Sequence, residues 1–180
     1  MKKYVLRYGA IAATIVTLWM LGSISYCYAI GTFEGNMWLG YASMLLAFSF
    51  IFVAIKTYRD KQNAGAITFG QAFKIGLYIS LVASTVYVIA WLIDYYFFIP
   101  DFMERYTARS IERIQHSGKS AAEIADGIKM MHSMEKMYGS IFGVILLTYM
   151  EILPLALVVS LISALILKRK NRNGAVAALS

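Results

Sequence analysis

The stretch IGLYISLVASTVYVIAWLI, residues 75–93, runs nineteen positions without a charge. A helix of that length spans about 29 Å, which matches a bilayer hydrocarbon core about 30 Å thick. Three further uncharged runs accompany it: 8–32, 35–55, and 139–150 continuing past Glu151 to 167. No water reaches the hydrocarbon core, so each run must satisfy its own backbone groups, and helices do this within one segment. The sequence predicts an all-α membrane protein with four transmembrane helices, at about 8–31, 37–56, 69–98 and 138–168, within a single membrane domain 1–180. The first run resembles a signal peptide only in its charged start and in Cys27-Tyr28-Ala29 at its end. Its apolar stretch exceeds the usual length of such a segment.

Composition agrees. The 180 residues are 59% hydrophobic and 15% charged, whereas soluble domains carry about 25% charged residues. The net charge of +7 does not point to nucleic acid, because the basic residues flank apolar runs and act as topology signals. Lys2, Lys3 and Arg7 precede the first run. Lys56, Arg59, Lys61 and Lys74 separate the second and third, and Lys168, Arg169, Lys170 and Arg172 follow the fourth. By the positive-inside rule all three clusters, and with them both termini, are expected in the cytoplasm. The segment holding only Glu34, and the segment 100–138 with six acidic and six basic residues, are then exterior.

Local signals mark the connections. Within TYRDKQNAGAIT, the expected cytoplasmic loop 57–68, Thr68 and Gln71 have the spacing of a capping box, and Ile67 stands where a hydrophobic staple would. The third helix is therefore expected to begin at Phe69. In the exterior segment 100–137, Met103, Tyr106, Ile111 and Ile114 recur at helical spacing after Pro100. The stretch HSGKS at 116–120 interrupts them, and Ser120 with Glu123 opens a second helix through Ile124, Ile128, Met131 and Met134. An exterior helical hairpin between transmembrane helices 3 and 4 is expected. Residues 171–180 have the composition of a frayed tail.

Three motifs in order, YRD at 58–60 with ITFGQAFKIG at 67–76, then EILP at 151–154 before LISALIL at 161–167, resemble the bacterial membrane family called domain of unknown function 4199. The resemblance implies a four-helix protein of the bacterial inner membrane. It implies no activity.

Candidate functional residues are few. Glu151 is the charge inside a span, costly there and a functional-site hypothesis by default. At 1.5 Å per residue it stands about 25 Å above Lys168, and Asp94 about 30 Å above Lys74, so both belong near the outer face. A structural role, as an ion pair with Arg105, Arg109, Arg113 or Lys136 or as a hydrogen-bonded carboxylate, is expected, and a substrate, ion or proton site is the alternative. Pro154 removes a backbone donor and so bends the helix or frees a carbonyl; a kink that fits the neighbouring helices is the expected reading, and a cation site beside Glu151, as in the broken helices of transporters, the alternative. Tyr58, Arg59 and Asp60 form either an interfacial anchor or a cytoplasmic docking element.

Met130, Met131, Met134 and Met137 beside His132 would suit Cu(I), but Met130, Met134 and Met137 share a helical face and are expected to pack. With one cysteine and two histidines no zinc pattern exists. No cofactor or metal is expected. Gly9, Ala13, Gly76, Ser80, Ala83 and Ser84 fall at three- and four-residue steps that allow close helix contact. Paired catalytic groups are lacking, so the expectation is a non-enzymatic scaffold or accessory, regulatory subunit. Its partners would be the lipid bilayer and another membrane protein or a second copy. A small oligomeric transporter or channel subunit using the outer-leaflet carboxylates Asp94 and Glu151 is the alternative.

Overall fold

The protein is described here by a computed structural model covering residues 1–31 and 37–169. The segment around Glu34 and the tail 171–180 lie outside the described residues. Among the latter there are six α-helices: α1 Lys2–Ile30, α2 Met37–Gln62, α3 Phe69–Ile93, α4 Phe102–Gln115, α5 Ala121–Tyr138 and α6 Ile141–Leu167, with a π-helical turn, Asp94–Phe98, continuing α3. No strand occurs among the described residues. Four helices are long and apolar enough to cross a membrane: Lys2–Ile30, Trp38–Gln62, Phe69–Phe98 and Ile141–Leu167.

α2 runs to Gln62, past the end expected at 56, so the connection to α3 is shorter than 57–68. The reason is local. Charge does not end a helix, and the Thr57 hydroxyl donates back to the Val53 carbonyl at 2.7 Å. The helix ends where Ala64 and Gly65 both turn to positive φ, 49° and 77°, a conformation that glycine adopts without steric cost. Both capping boxes form. The Gln71 amide donates to Thr68 Oγ1 at 3.3 Å and the Thr68 amide to Gln71 Oε1 at 3.4 Å. The Glu123 amide donates to Ser120 Oγ at 3.3 Å and the Ser120 amide to Glu123 Oε2 at 3.0 Å. α3 starts at Phe69, as its box requires.

Backbone contacts divide the chain into two compact units. The first comprises Met1–Met20, Asn36–Tyr87 and Glu151–Ser180, the second Leu21–Gly35 and Val88–Met150.

In the first unit α3 is the element against which the others close. A Cβ on Gly9 of α1 would come 2.9 Å from Val82, and a Cβ on Gly76 would come 2.8 Å from both Cβ and Oγ of Ser160 on α6 and 3.2 Å from Ile51 on α2. Glycine at these points lets backbones approach without the apolar driving force that water supplies to soluble cores. Phe48, Ile51, Ile55, Ile75, Ile79, Ser80, Ser84, Ile152 and Ser160 are fully buried around this contact. Ser80 Oγ and Ser160 Oγ lie 3.0 Å apart, and each is also within bonding distance of its own helix, the Gly76 carbonyl at 2.9 Å and the Ala156 carbonyl at 2.8 Å. Two hydroxyl protons serve three bonds, so one serine donates across the helices while the other donates to its own carbonyl.

The second unit is aromatic. Trp91 meets Phe102 edge-on at 5.1 Å and Tyr95 at 5.9 Å, while Tyr95 meets Tyr138 at 5.5 Å and Phe102 stacks on Tyr106 at 5.8 Å. These rings join the end of α3 to the start of α4 and the end of α5. α4 buries Met103, Thr107 and Ser110, and its Ile114 packs on Gly127 of α5. The methionine face of α5 departs from expectation. Met131 is its buried methionine, Met130 and Met137 are exposed, and Met134 is half-buried. The face carrying Ile124, Gly127 and Ile128 leads to Met131, one position from the face chosen on methionine spacing alone.

Candidate functional site

Glu151 and Pro154 lie on one exposed stripe of α6, with Met150, Val158, Leu161 and Leu165. The opposite stripe, Ile152, Ala156, Ser160 and Ser163, is buried. Pro154 sits inside the unbroken helix Ile141–Leu167. Lacking an N–H, it leaves the Met150 carbonyl without its helical donor. A carboxylate and a freed carbonyl therefore share one outward face of an otherwise apolar helix.

The expected ion pairs do not form. Glu151 and Asp94 make no ion pair among the described residues. Arg105 instead holds Asp101, the N-cap of α4, at 2.6 Å, and Arg109 holds Glu112 within α4 at 3.1 Å. Side chains three or four residues apart are neighbours on a helical surface, so these partners are local. Arg113 and Lys136 form no ion pair among the described residues. Asp94, half-buried, belongs to the second unit and opens the π-helical turn, whose carbonyl accepts from the Ile99 amide at 3.0 Å. Such turns are rare inside α-helices and occur frequently at functional sites.

Tyr58, Arg59 and Asp60 form a structural junction. Tyr58 packs edge-on against Tyr4 of α1 at 5.6 Å. Arg59 Nε donates to Asp60 Oδ1 at 2.7 Å, and Nη1 donates to the Leu167 carbonyl at 3.4 Å. The guanidinium thus sits at the C-terminal end of α6, where orphan carbonyls and the helix dipole favour a cation. Beside it, Ile67 and Arg169 exchange two backbone bonds, 3.0 and 2.9 Å. The junction explains Asp60, which an interfacial anchor alone does not: it orients Arg59 toward α6.

A second polar cluster had no sequence signal. The Tyr28 hydroxyl donates to Asp101 Oδ1 at 2.8 Å across 73 residues, Arg105 Nε donates to Oδ2, and the Arg105 guanidinium lies 5.5 Å from the Tyr28 ring centroid. The Tyr28 hydroxyl, then Arg105, hold the Asp101 carboxyl below its ordinary range. Glu123 is lowered by the hydroxyl and amide of Ser120. A carboxyl with a depressed folded-state pKa contributes stability above its unfolded pKa and loses it as pH falls through the folded value. The first turn of α5 is therefore expected to fray as pH drops below the ordinary glutamate range near 4.5. Amide exchange at residues 121–124, corrected for intrinsic rates, measures this, and Glu123→Gln should flatten the dependence. Undiminished pH dependence in that variant would refute the assignment.

His132 Nδ1 and Glu135 Oε2 are 3.3 Å apart, and no group of three metal-ligating side chains occurs among the described residues. No curated protein and no solved structure matches the chain. The model of the family described as Protein of unknown function (DUF4199) matches residues 7–169, a range containing the Arg59 junction, the α3 capping box and the Glu151–Pro154 stripe, and the chain belongs to that family.

Proposed function

We propose that this is a non-enzymatic scaffold or accessory, regulatory subunit of the bacterial inner membrane, whose α6 docks a second transmembrane helix at Glu151. Both termini are cytoplasmic in this reading, and α4 and α5 form an exterior hairpin. Positive clusters at 2–7, 56–74 and 168–169 support the orientation.

The observation that carries the proposal is Glu151 itself, exposed on an apolar helix face and without an ion pair among the described residues. A charged carboxylate at mid-bilayer costs about 2.5–3.5 kcal/mol, and less toward the interface. A hydrogen-bond donor on a partner helix offsets that cost, and interhelical bonds of this kind contribute about 1–2 kcal/mol. Glu151→Gln should therefore accumulate normally and retain its partner about tenfold less well. The assay is native purification in mild detergent with quantification of the stoichiometric co-purifying protein. Full retention by the variant would refute the docking role.

The freed Met150 carbonyl beside Glu151 favours a second reading, a small oligomeric transporter or channel subunit in which this stripe takes up a cation. In that case the purified species is a homo-oligomer carrying an ion that Glu151→Gln no longer binds.

A further inference from the structure

An open pocket of about 370 Å³ is lined by Met1, Lys2, Val5 and Leu6 on one side and Lys74 and Tyr78 on the other. Its two lysines come from segments 72 positions apart in the chain. Val5 is buried, whereas Leu6, Lys2, Lys74 and Tyr78 are exposed. Neither lysine has a carboxylate partner among the described residues, in contrast to Arg59, Arg105 and Arg109. Lys74 Nζ lies 5.8 Å from the Tyr78 ring centroid, so the ring faces the ammonium without neutralising it.

The volume falls within the range of small-ligand sites, and the lining combines two lysines that lack carboxylate partners among the described residues with an aliphatic wall and a phenol. We propose that this cavity binds the headgroup phosphate of an anionic phospholipid, with the first methylenes of an acyl chain along Val5 and Leu6. The inference rests on the membrane placement proposed above, which puts Lys2 and Lys74 at the cytoplasmic interface. Basic pockets between transmembrane helices at that level recognise anionic headgroups. A membrane bathes this rim continuously in such lipids, which favours a lipid over a soluble phosphate.

The full-length protein, delipidated in mild detergent, would be incubated with phosphatidylglycerol or phosphatidylcholine of identical acyl chains and examined by native mass spectrometry. Phosphatidylglycerol should bind selectively. Each basic residue near an anionic surface contributes about fivefold, so Lys2→Gln/Lys74→Gln should weaken binding about 25-fold. Lys119→Gln/Lys129→Gln, matched in charge and remote in sequence, should leave it unchanged. Equal binding of the two lipids overturns the proposal, as does a Lys2→Gln/Lys74→Gln variant that binds like the wild type. Displacement of phosphatidylglycerol by millimolar inorganic phosphate overturns the lipid as the source. If the double variant fails to accumulate, the wild type decides alone: its phosphatidylglycerol binding must weaken as salt rises, and salt-independent binding is contrary to the proposal. These readouts do not depend on which side of the membrane the lysines occupy, so a wrong orientation, detected separately by reporter fusions, is distinguishable from a wrong site.

Discussion

Gly76→Leu should abolish folding of the first unit, while Gly76→Ala should weaken it measurably. The alanine Cβ alone would come 2.8 Å from Ser160 Cβ and Oγ and 3.2 Å from Ile51. The nearest atoms lie close to the backbone of α6 and cannot swing aside as the tip of a long side chain would. Overpacking a tight core typically costs about 1–3 kcal/mol. That is the range expected for alanine, and leucine should exceed about 3 kcal/mol because it must separate α3 from α6 and break the Ser80–Ser160 bond. Thermal unfolding in detergent is the measurement. Gly76→Ala combined with Ser160→Gly should recover most of the loss, and Gly70→Ala, whose Cβ would meet nothing within 4 Å, should be near neutral. A Gly76→Leu variant with wild-type melting would show that these helices do not pack here.

Trp91→Ala should cost about 3–5 kcal/mol, the range for removing a buried large aromatic side chain, with the loss confined to the second unit. Trp91 is only 5% exposed and lies against Phe102 and Tyr95, so its deletion leaves a void where α3, α4 and α5 meet. Its Nε1 has no hydrogen-bond partner among the described residues. Trp91→Phe thus sacrifices no hydrogen bond and should cost far less, about 1–1.5 kcal/mol, from lost ring area and the edge contact. Amide exchange should accelerate through 102–138 in the alanine variant. Equal effects of alanine and phenylalanine, or acceleration confined to α2, would be inconsistent with an aromatic core in this unit.

The capping boxes at Thr68 and Ser120 were legible because both partners lie three residues apart on one strand of chain, and their geometry is local. The same holds for the four long apolar helices, whose length and lack of charge answer to the solvent alone. The extent of α2 was less legible, since charged residues after Ile55 signal an interface and yet continue a helix without penalty. The role of Arg59 was half legible: Asp60 is its sequence neighbour, but the α6 carbonyl it reaches is 108 residues away. Arg105 and Arg109 were foreseen as partners of Asp94 and Glu151, whereas their ion pairs are with Asp101 and Glu112, four and three residues away in the chain.

By itself, then, the sequence determined everything that depends on neighbours within about a turn or on the average solvent of a segment: the helix count and type, the caps, the apolar spans, the basic flanks and the suspicion on Glu151. Tertiary structure alone decided which glycines are contacts, that Ser80 meets Ser160, that Tyr28 holds Asp101, that Met131 is the buried methionine of α5, and that Glu151 faces outward without an ion pair. These facts depend on the rotation of each helix about its axis. In α2 and α6, whose apolar residues are spread around the axis rather than gathered on one side, composition carries almost no record of that rotation, and the close fit of side chains between helices sets it instead.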